Sequence, residues 1–149
     1  MPVQIRTAKL SDFARILRLV AAYYKFDGIA HDERTTGRAL RKLLKDKSLG
    51  CIWVIDTGRA LAGYLILTYN YDLEFGGREG MLTDFFIAPR YRRRGLGAQM
   101  IAAVREFCRA ERIGTIELQV TRENRSAQAF YRALGFKTWD RIVMSIEAE

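Results

Sequence analysis

The sequence predicts an α/β protein in which a mixed sheet carries helices on both faces. Three observations predict it. Runs with strand-like and helix-like apolar spacing alternate along the chain. Asp56-Thr57-Gly58-Arg59 is a hairpin turn signal between two strand-like runs, so those strands are antiparallel. The order strand, helix, strand at 81–87, 96–112 and 115–120 is a crossover unit, which makes that strand pair parallel.

Taken in order, residues 3–7 alternate apolar and polar and read as a short first strand. Ser11 is placed to cap a helix. Phe13, Ile16, Leu17, Val20 and Tyr24 then mark one apolar helix face up to Lys25, and Phe26-Asp27-Gly28 ends it. A second helix is expected from Thr35 or Thr36, with Leu40, Leu43 and Leu44 inward. Strands follow at 51–56 and 60–69. Residues 70–80 read as a loop, with Asp72, Glu74, Gly76 and Gly77. The run 81–87 is apolar, aromatic and β-branched, as in a buried strand. Pro89 stops it, because proline cannot donate to a ladder. Met100, Ile101, Val104, Phe107 and Cys108 fall at helical steps, and Gly114 marks that helix's exit. A strand at 115–120, a helix at 126–134 closed by Gly135, and a last strand at 138–146 complete the reading. No repeat, linker or low-complexity tract interrupts it, so one domain spanning 1–149 is expected.

Between the strand at 81–87 and its helix lies a turn with Arg90, Arg92, Arg93 and Arg94, then Gly95 and Gly97. The first N–H groups of a helix lack intrahelical partners, and the helix dipole makes that end positive. Glycines let a phosphate approach the backbone, and arginines add charge and paired donors. The turn is built to hold a phosphate or pyrophosphate. It lacks the Gly-Lys-Ser/Thr of a P-loop and the Gly-x-Gly-x-x-Gly of a dinucleotide fingerprint.

Arg92, Gly95 and Gly97 match the Arg/Gln-x-x-Gly-x-Gly/Ala signature of the GNAT superfamily of N-acetyltransferases. Downstream, Asn124-Arg-Ser-Ala-Gln-Ala-Phe-Tyr-Arg-Ala-Leu-Gly-Phe136 resembles that family's Asn-x-x-Ala-x-x-Phe-Tyr-x-x-x-Gly-Phe segment. The resemblance implies the GNAT fold: a central sheet of six to seven strands, about four helices, and a splayed parallel pair that admits acetyl-CoA. It implies that the backbone of Phe85, Phe86 and Ile87 pairs with the pantetheine arm. Arg92, Arg93, Arg94, Gly95, Leu96, Gly97 and Ala98 would form the pyrophosphate cradle. Asn124 would bond the arm from the other side, with Ser126, Ala127 and Tyr131 nearby. The acyl donor is then acetyl-CoA, with no metal. Family members are often dimers, so a homodimer is an arrangement the resemblance allows.

The reaction implied is attack of a neutral amine on a thioester. Tyr131 stands where the family places the proton donor to the leaving thiolate, and a tyrosine of pKa about 10 is protonated at neutral pH. Its other reading is a core residue beside Phe130. The stretch Asp84-Phe85-Phe86 also resembles the diamine acetyltransferases, which carry a glutamate one residue before the aspartate. Here that residue is Thr83, which cannot act as a base. Asp84 is the nearest carboxylate, as base or substrate anchor, and Glu74, Glu79 and Glu117 stand in reserve. Asp72, Glu74, Asp84 and Tyr24 are the expected contacts of a small cationic acceptor. The alternatives are a protein or peptide acceptor, or an acyl-CoA-binding module without catalysis.

Composition narrows the partners. A charged content of 28% and a hydrophobic content of 49% are those of a soluble globular chain. No apolar run approaches the roughly 18 residues that span a bilayer, and the N-terminus shows no signal-peptide pattern, so a cytoplasmic protein without membrane contact is expected. The net charge of +8 admits nucleic acid, but Arg38, Arg41, Lys42, Lys45 and Lys47 read as a solvated helix face. Cys51 and Cys108 form no spaced pair, and one histidine does not complete a zinc site; both cysteines read as buried thiols.

Overall fold

Five strands form one sheet in the order β1-β2-β3-β4-β5. They are β1 (Gln4–Thr7), β2 (Gly50–Asp56), β3 (Leu61–Asp72), β4 (Gly77–Ile87) and β5 (Ile116–Leu118). The helices are α1 (Phe13–Asp27), α2 (Glu33–Lys45), α3 (Leu96–Ala110) and α4 (Arg125–Ala133). The computed structural model describes residues 2–149, and the chain forms two compact units, one ending at Gln119 and one of Val120–Glu149.

Neighbouring strands from β1 to β4 are antiparallel, and β4 pairs with β5 in parallel, as the crossover order predicts. Ile16, Val20, Leu40 and Leu44 of α1 and α2 bury against Ile52, Val54, Tyr64, Ile66 and Phe86 of the sheet. Each such aliphatic side chain contributes about 1.5–3 kcal/mol by leaving water. On the other face α3 buries Met100, Ile101 and Val104 and sets Phe107 edge-on to Trp53 with ring centroids 5.0 Å apart.

Several expectations are corrected. Among the described residues the sheet has five strands, not six to seven. Residues 138–146 form no strand, and Trp139, Ile142, Val143, Met144 and Ile146 are exposed. Asp12, not Ser11, stands at the start of α1. Its buried carboxylate takes both Arg6 guanidinium nitrogens, at 2.8 and 3.0 Å, and Arg15 Nη2 at 2.7 Å. Asp32, not a threonine, caps α2: its Oδ2 accepts from Thr35 N at 3.3 Å and Thr35 Oγ1 at 2.7 Å. Both capping positions went to a carboxylate that finds donors a hydroxyl does not attract as strongly.

The expected loop 70–80 is mostly strand. β3 and β4 stay paired out to Asp72 and Gly77, joined by a single tight turn at Leu73–Phe75. Its polar residues mislead because they pair across the ladder: Asn70 Nδ2 donates to Glu79 Oε1 at 2.8 Å. Cys51 and Cys108 are free thiols, and burial pushes Cys108 up to about 11, so it is un-ionised at neutral pH.

Candidate active site

The register of β4 organises the site. Ile66 pairs with Asp84 and Leu67 with Leu82, which leaves Thr83 as an extra residue, a β-bulge. Thr83 is exposed, whereas Asp84 is buried. On its other edge β4 meets β5 over three rungs only, the last being Leu82 with Leu118. Residues 83–87 then run on with no β5 partner. The parallel pairing thus stops short of the end of β4.

Asp84 lies on the α1–α2 face among tyrosines. Tyr64 Oη donates to Asp84 Oδ2 at 2.8 Å, and the side chains of Tyr24 and Thr83 also bond it. Burial pushes the Asp84 carboxyl above its ordinary range, and those hydrogen bonds recover only part of the shift. Tyr23 packs on Phe86 with centroids 5.5 Å apart and on Tyr24 at 5.4 Å. Its hydroxyl is pushed up to about 12, by burial first and then by Asp27 and Asp84. A carboxylate so placed is suited to accept a proton or to hold a cation.

Beyond Ile87 the chain enters the arginine turn. Arg93 and Gly95 take left-handed φ values of 61° and 77°. The intrahelical bonds of α3 begin with Gln99 N to Gly95 O at 3.1 Å, so the N–H groups of Leu96, Gly97 and Ala98 precede the ladder. The Arg92 side chain is turned back: its Nε donates to Ile87 O at 2.7 Å, and its guanidinium lies over Phe26 and Phe86 at 5.0 and 5.4 Å. It clamps the turn to the end of β4. Arg93 and Arg94 are exposed. A cavity of about 500 Å³ beside this turn is lined by Arg59, Arg90, Arg94, Tyr91, Gln99 and Thr57, among others. Three arginines around such a volume, next to a helix N-terminus, fit a polyphosphate ligand.

In the second unit Asn124 caps α4, with Oδ1 accepting from Ala127 N at 3.2 Å and Ser126 Oγ at 3.4 Å. That leaves its amide N–H groups as donors. Tyr131 sits between Phe130 and Phe136, at 5.2 and 5.3 Å between centroids. Ser126 is exposed, and Ala127 and Tyr131 are half-buried.

The predicted substrate residues fall into two groups. Tyr24 and Asp84 come together. Asp72 and Glu74 instead flank Glu117, whose carboxyl their charge helps raise. Tyr64 was not foreseen, since nothing in an apolar strand announces that one hydroxyl meets a carboxylate across the ladder. The only signal was that a buried tyrosine needs an acceptor. Arg59 was likewise invisible as a neighbour of the arginine turn. Among the described residues no cluster of three or more His, Cys, Asp or Glu is fit to hold a metal, and no helix is long and apolar enough to cross a membrane.

A parallel strand pair at the edge of an otherwise antiparallel sheet, with the N-terminus of α3 following its first strand, is the arrangement of an acetyltransferase fold. The chain belongs to the acetyltransferase (GNAT) family, whose model it matches over residues 13–136. It is similar to the thialysine N-epsilon-acetyltransferase of Bos taurus, 27% identical over 142 residues, covering 89% of this chain and 83% of the relative. Among solved structures it resembles an integron cassette protein from the mobile metagenome of Cole Harbour Salt Marsh, at 29% identity and a TM-score of 0.86, with 98% and 91% of the two chains covered. Aminoglycoside N-acetyltransferase AAC(6')-Iy, solved in complex with CoA, shares the fold at a TM-score of 0.86 and 17% identity, over 99% and 95% of the chains.

Proposed function

We propose that the whole chain is one N-acetyltransferase domain that uses acetyl-CoA to acetylate a primary amine of a small cationic molecule. The observation that carries this is the end of the β4–β5 pairing at Leu82, beyond which β4 runs past the buried Asp84 into the arginine turn. Phe85, Phe86 and Ile87 hold the pantetheine arm by backbone pairing. The N–H groups of Leu96, Gly97 and Ala98, with Arg93 and Arg94, hold the pyrophosphate; Arg92 supports the turn. Asn124 bonds the arm through its amide, beside Ser126 and Ala127. Acetyl-CoA supplies the thioester.

Asp84 anchors the incoming ammonium and, with its raised pKa, takes up its proton. Backbone N–H groups of β4 donate to the carbonyl oxygen as it gains charge. Tyr131 keeps its proton at neutral pH and gives it to the leaving sulfur. The similarity to enzymes named for thialysine and aminoglycosides supports a small amine as acceptor. Two free thiols suit a reducing compartment, and we place the reaction in the cytoplasm.

The test is thiol release from acetyl-CoA across polyamines, aminoglycosides, amino acids and short peptides. Release with a small cation is expected, and Tyr131→Phe is expected to lower kcat about 100-fold at neutral pH. Acetyl-CoA binding by calorimetry with release only on peptides would move the acceptor to proteins. No acetyl-CoA binding at all would overturn the reading.

We also propose a homodimer. Residues 138–146 have a strand-like alternation. Strand addition by such a segment is one way two copies could join.

A further inference from the structure

Helix α2 buries Gly37, Leu40 and Leu44 and turns its opposite face to solvent. Arg34, Arg38, Arg41, Lys42 and Lys45 are exposed there, as is Lys47 in the turn that follows. At 3.6 residues per turn the five helical cations fall within an arc of about 100°, and they span roughly 16 Å along the axis. Residues 38–47 alone hold five cations and one carboxylate, half of the chain's net charge of +8.

Among the described residues no salt bridge includes any of these six cations. Asp46, the carboxylate among them, is engaged by its own loop: its Oδ1 accepts from Ser48 N at 3.0 Å and from Ser48 Oγ at 2.6 Å. The helix dipole favours cations in the last turn, which accounts for Lys42 and Lys45. It does less for Arg38 and works against Arg34 in the first turn. Like charges three and four residues apart, as at 34 and 38, 38 and 42, or 41 and 45, destabilise a helix. An outside anion would relieve that repulsion.

The side chains also enclose a volume. Arg38, Arg41, Lys42, Lys45, Asp46 and Lys47 line a cavity of about 430 Å³. One wall is fixed, because the Arg41 guanidinium lies over the Phe13 ring, 4.1 Å from its centroid. This cavity shares no residue with the one beside the arginine turn. Its size falls within the range of small-molecule pockets, about 300–1,000 Å³. Its lining has no apolar residue, so it gives a nucleobase no ring to stack on and a lipid chain no apolar surface. What it gives is guanidinium forks and ammonium groups, the usual donors to phosphate oxygens.

We propose that this face of α2 is a binding site for a compact polyphosphate, a small molecule with two or more linked phosphate groups, separate from the site read as holding acetyl-CoA. Several cations around one volume meet several phosphate charges at once. The bound polyanion removes the like-charge repulsion along α2 and stabilises the folded chain by mass action. The site stands independently of the acetyl-transfer reading.

The probe is inorganic tripolyphosphate, added to the whole protein with CoA already in excess so that the arginine turn is filled. Calorimetry should show one tripolyphosphate bound per chain, with inorganic monophosphate about 10-fold weaker or more and the affinity falling as salt rises. Tripolyphosphate should also raise the melting temperature. The double variant Arg38→Gln, Lys42→Gln changes two exposed side chains. It should bind tripolyphosphate about 10-fold more weakly and melt no lower than the native protein without ligand. Arg94→Gln should weaken CoA and leave tripolyphosphate binding at α2 intact. No tripolyphosphate binding by the CoA-filled protein overturns the site, as does equal affinity in the double variant or equal affinity for monophosphate. Tight binding of duplex DNA with no saturable tripolyphosphate site overturns it too, and makes the face a nucleic-acid surface. If the native protein binds no CoA, one tripolyphosphate that is lost in the double variant still supports this site, and the acetyl-CoA reading is what fails.

Discussion

Asp12 and Asp84 are both buried carboxylates, and their partners set them apart. Asp12 meets two guanidinium groups and the Lys9 N–H, and the Arg6 hydrogen bonds hold it well below the ordinary carboxylate range. Asp84 meets only hydroxyls, so burial wins and its pKa rises. The first is a structural tie between β1 and α1; the second is the carboxylate we propose as base and anchor. Asp12→Ala should therefore cost about 3–5 kcal/mol in urea denaturation, because it strips the half-buried Arg6 of a main partner. The native Asp12 has the lower pKa, so its contribution is complete above the unfolded value of about 3.9 and fades as pH falls through and below it. The Asp12→Ala variant should show a flatter acid limb in its stability profile. The role of Asp12 was not legible in the residue itself. Asp12 sits in a stretch that reads as a helix start, and only its partners from β1 and α1 mark it as a tie.

At the scale of elements, β4 carries Asp84 and leads into the arginine turn. Its edges do different things: one stays paired with β3 to the end, and the other is released after Leu82. Close backbone packing keeps the paired edge rigid. At Gly63, a Cβ would stand 2.5 Å from Phe86 O and 3.1 Å from Ile87 Cα. Gly63→Ala should cost about 1–3 kcal/mol in denaturant midpoints and raise the KM for acetyl-CoA, since relief requires Phe86 and Ile87 to shift. The strand at 81–87, the helix after it and the turn between them could be read from the sequence, because apolar period, proline and glycine act locally. The bulge could not. It arises from the pairing of Leu67 and Ile66 with Leu82 and Asp84, and no residue type at Thr83 requires it.

For the whole molecule, the exposed apolar residues of the C-terminal segment set a clear expectation. Light scattering should give twice the 17.1 kDa mass of one chain. Val143→Asp should weaken that dimer, whereas a monomeric native protein would overturn it. The sequence by itself determined the parallel crossover and the arginine turn before its helix, since each depends on residues within a few positions of one another. It also carried the two family motifs that point to acetyl transfer. Only the tertiary structure decided which carboxylates stand together. Glu79, Asp84 and Glu117 come from separate stretches, and the face each occupies follows from cross-strand register, where a single extra residue inverts the alternation. Burial then sets the chemistry of Asp84, because removal from water raises its carboxyl where a solvated position would not.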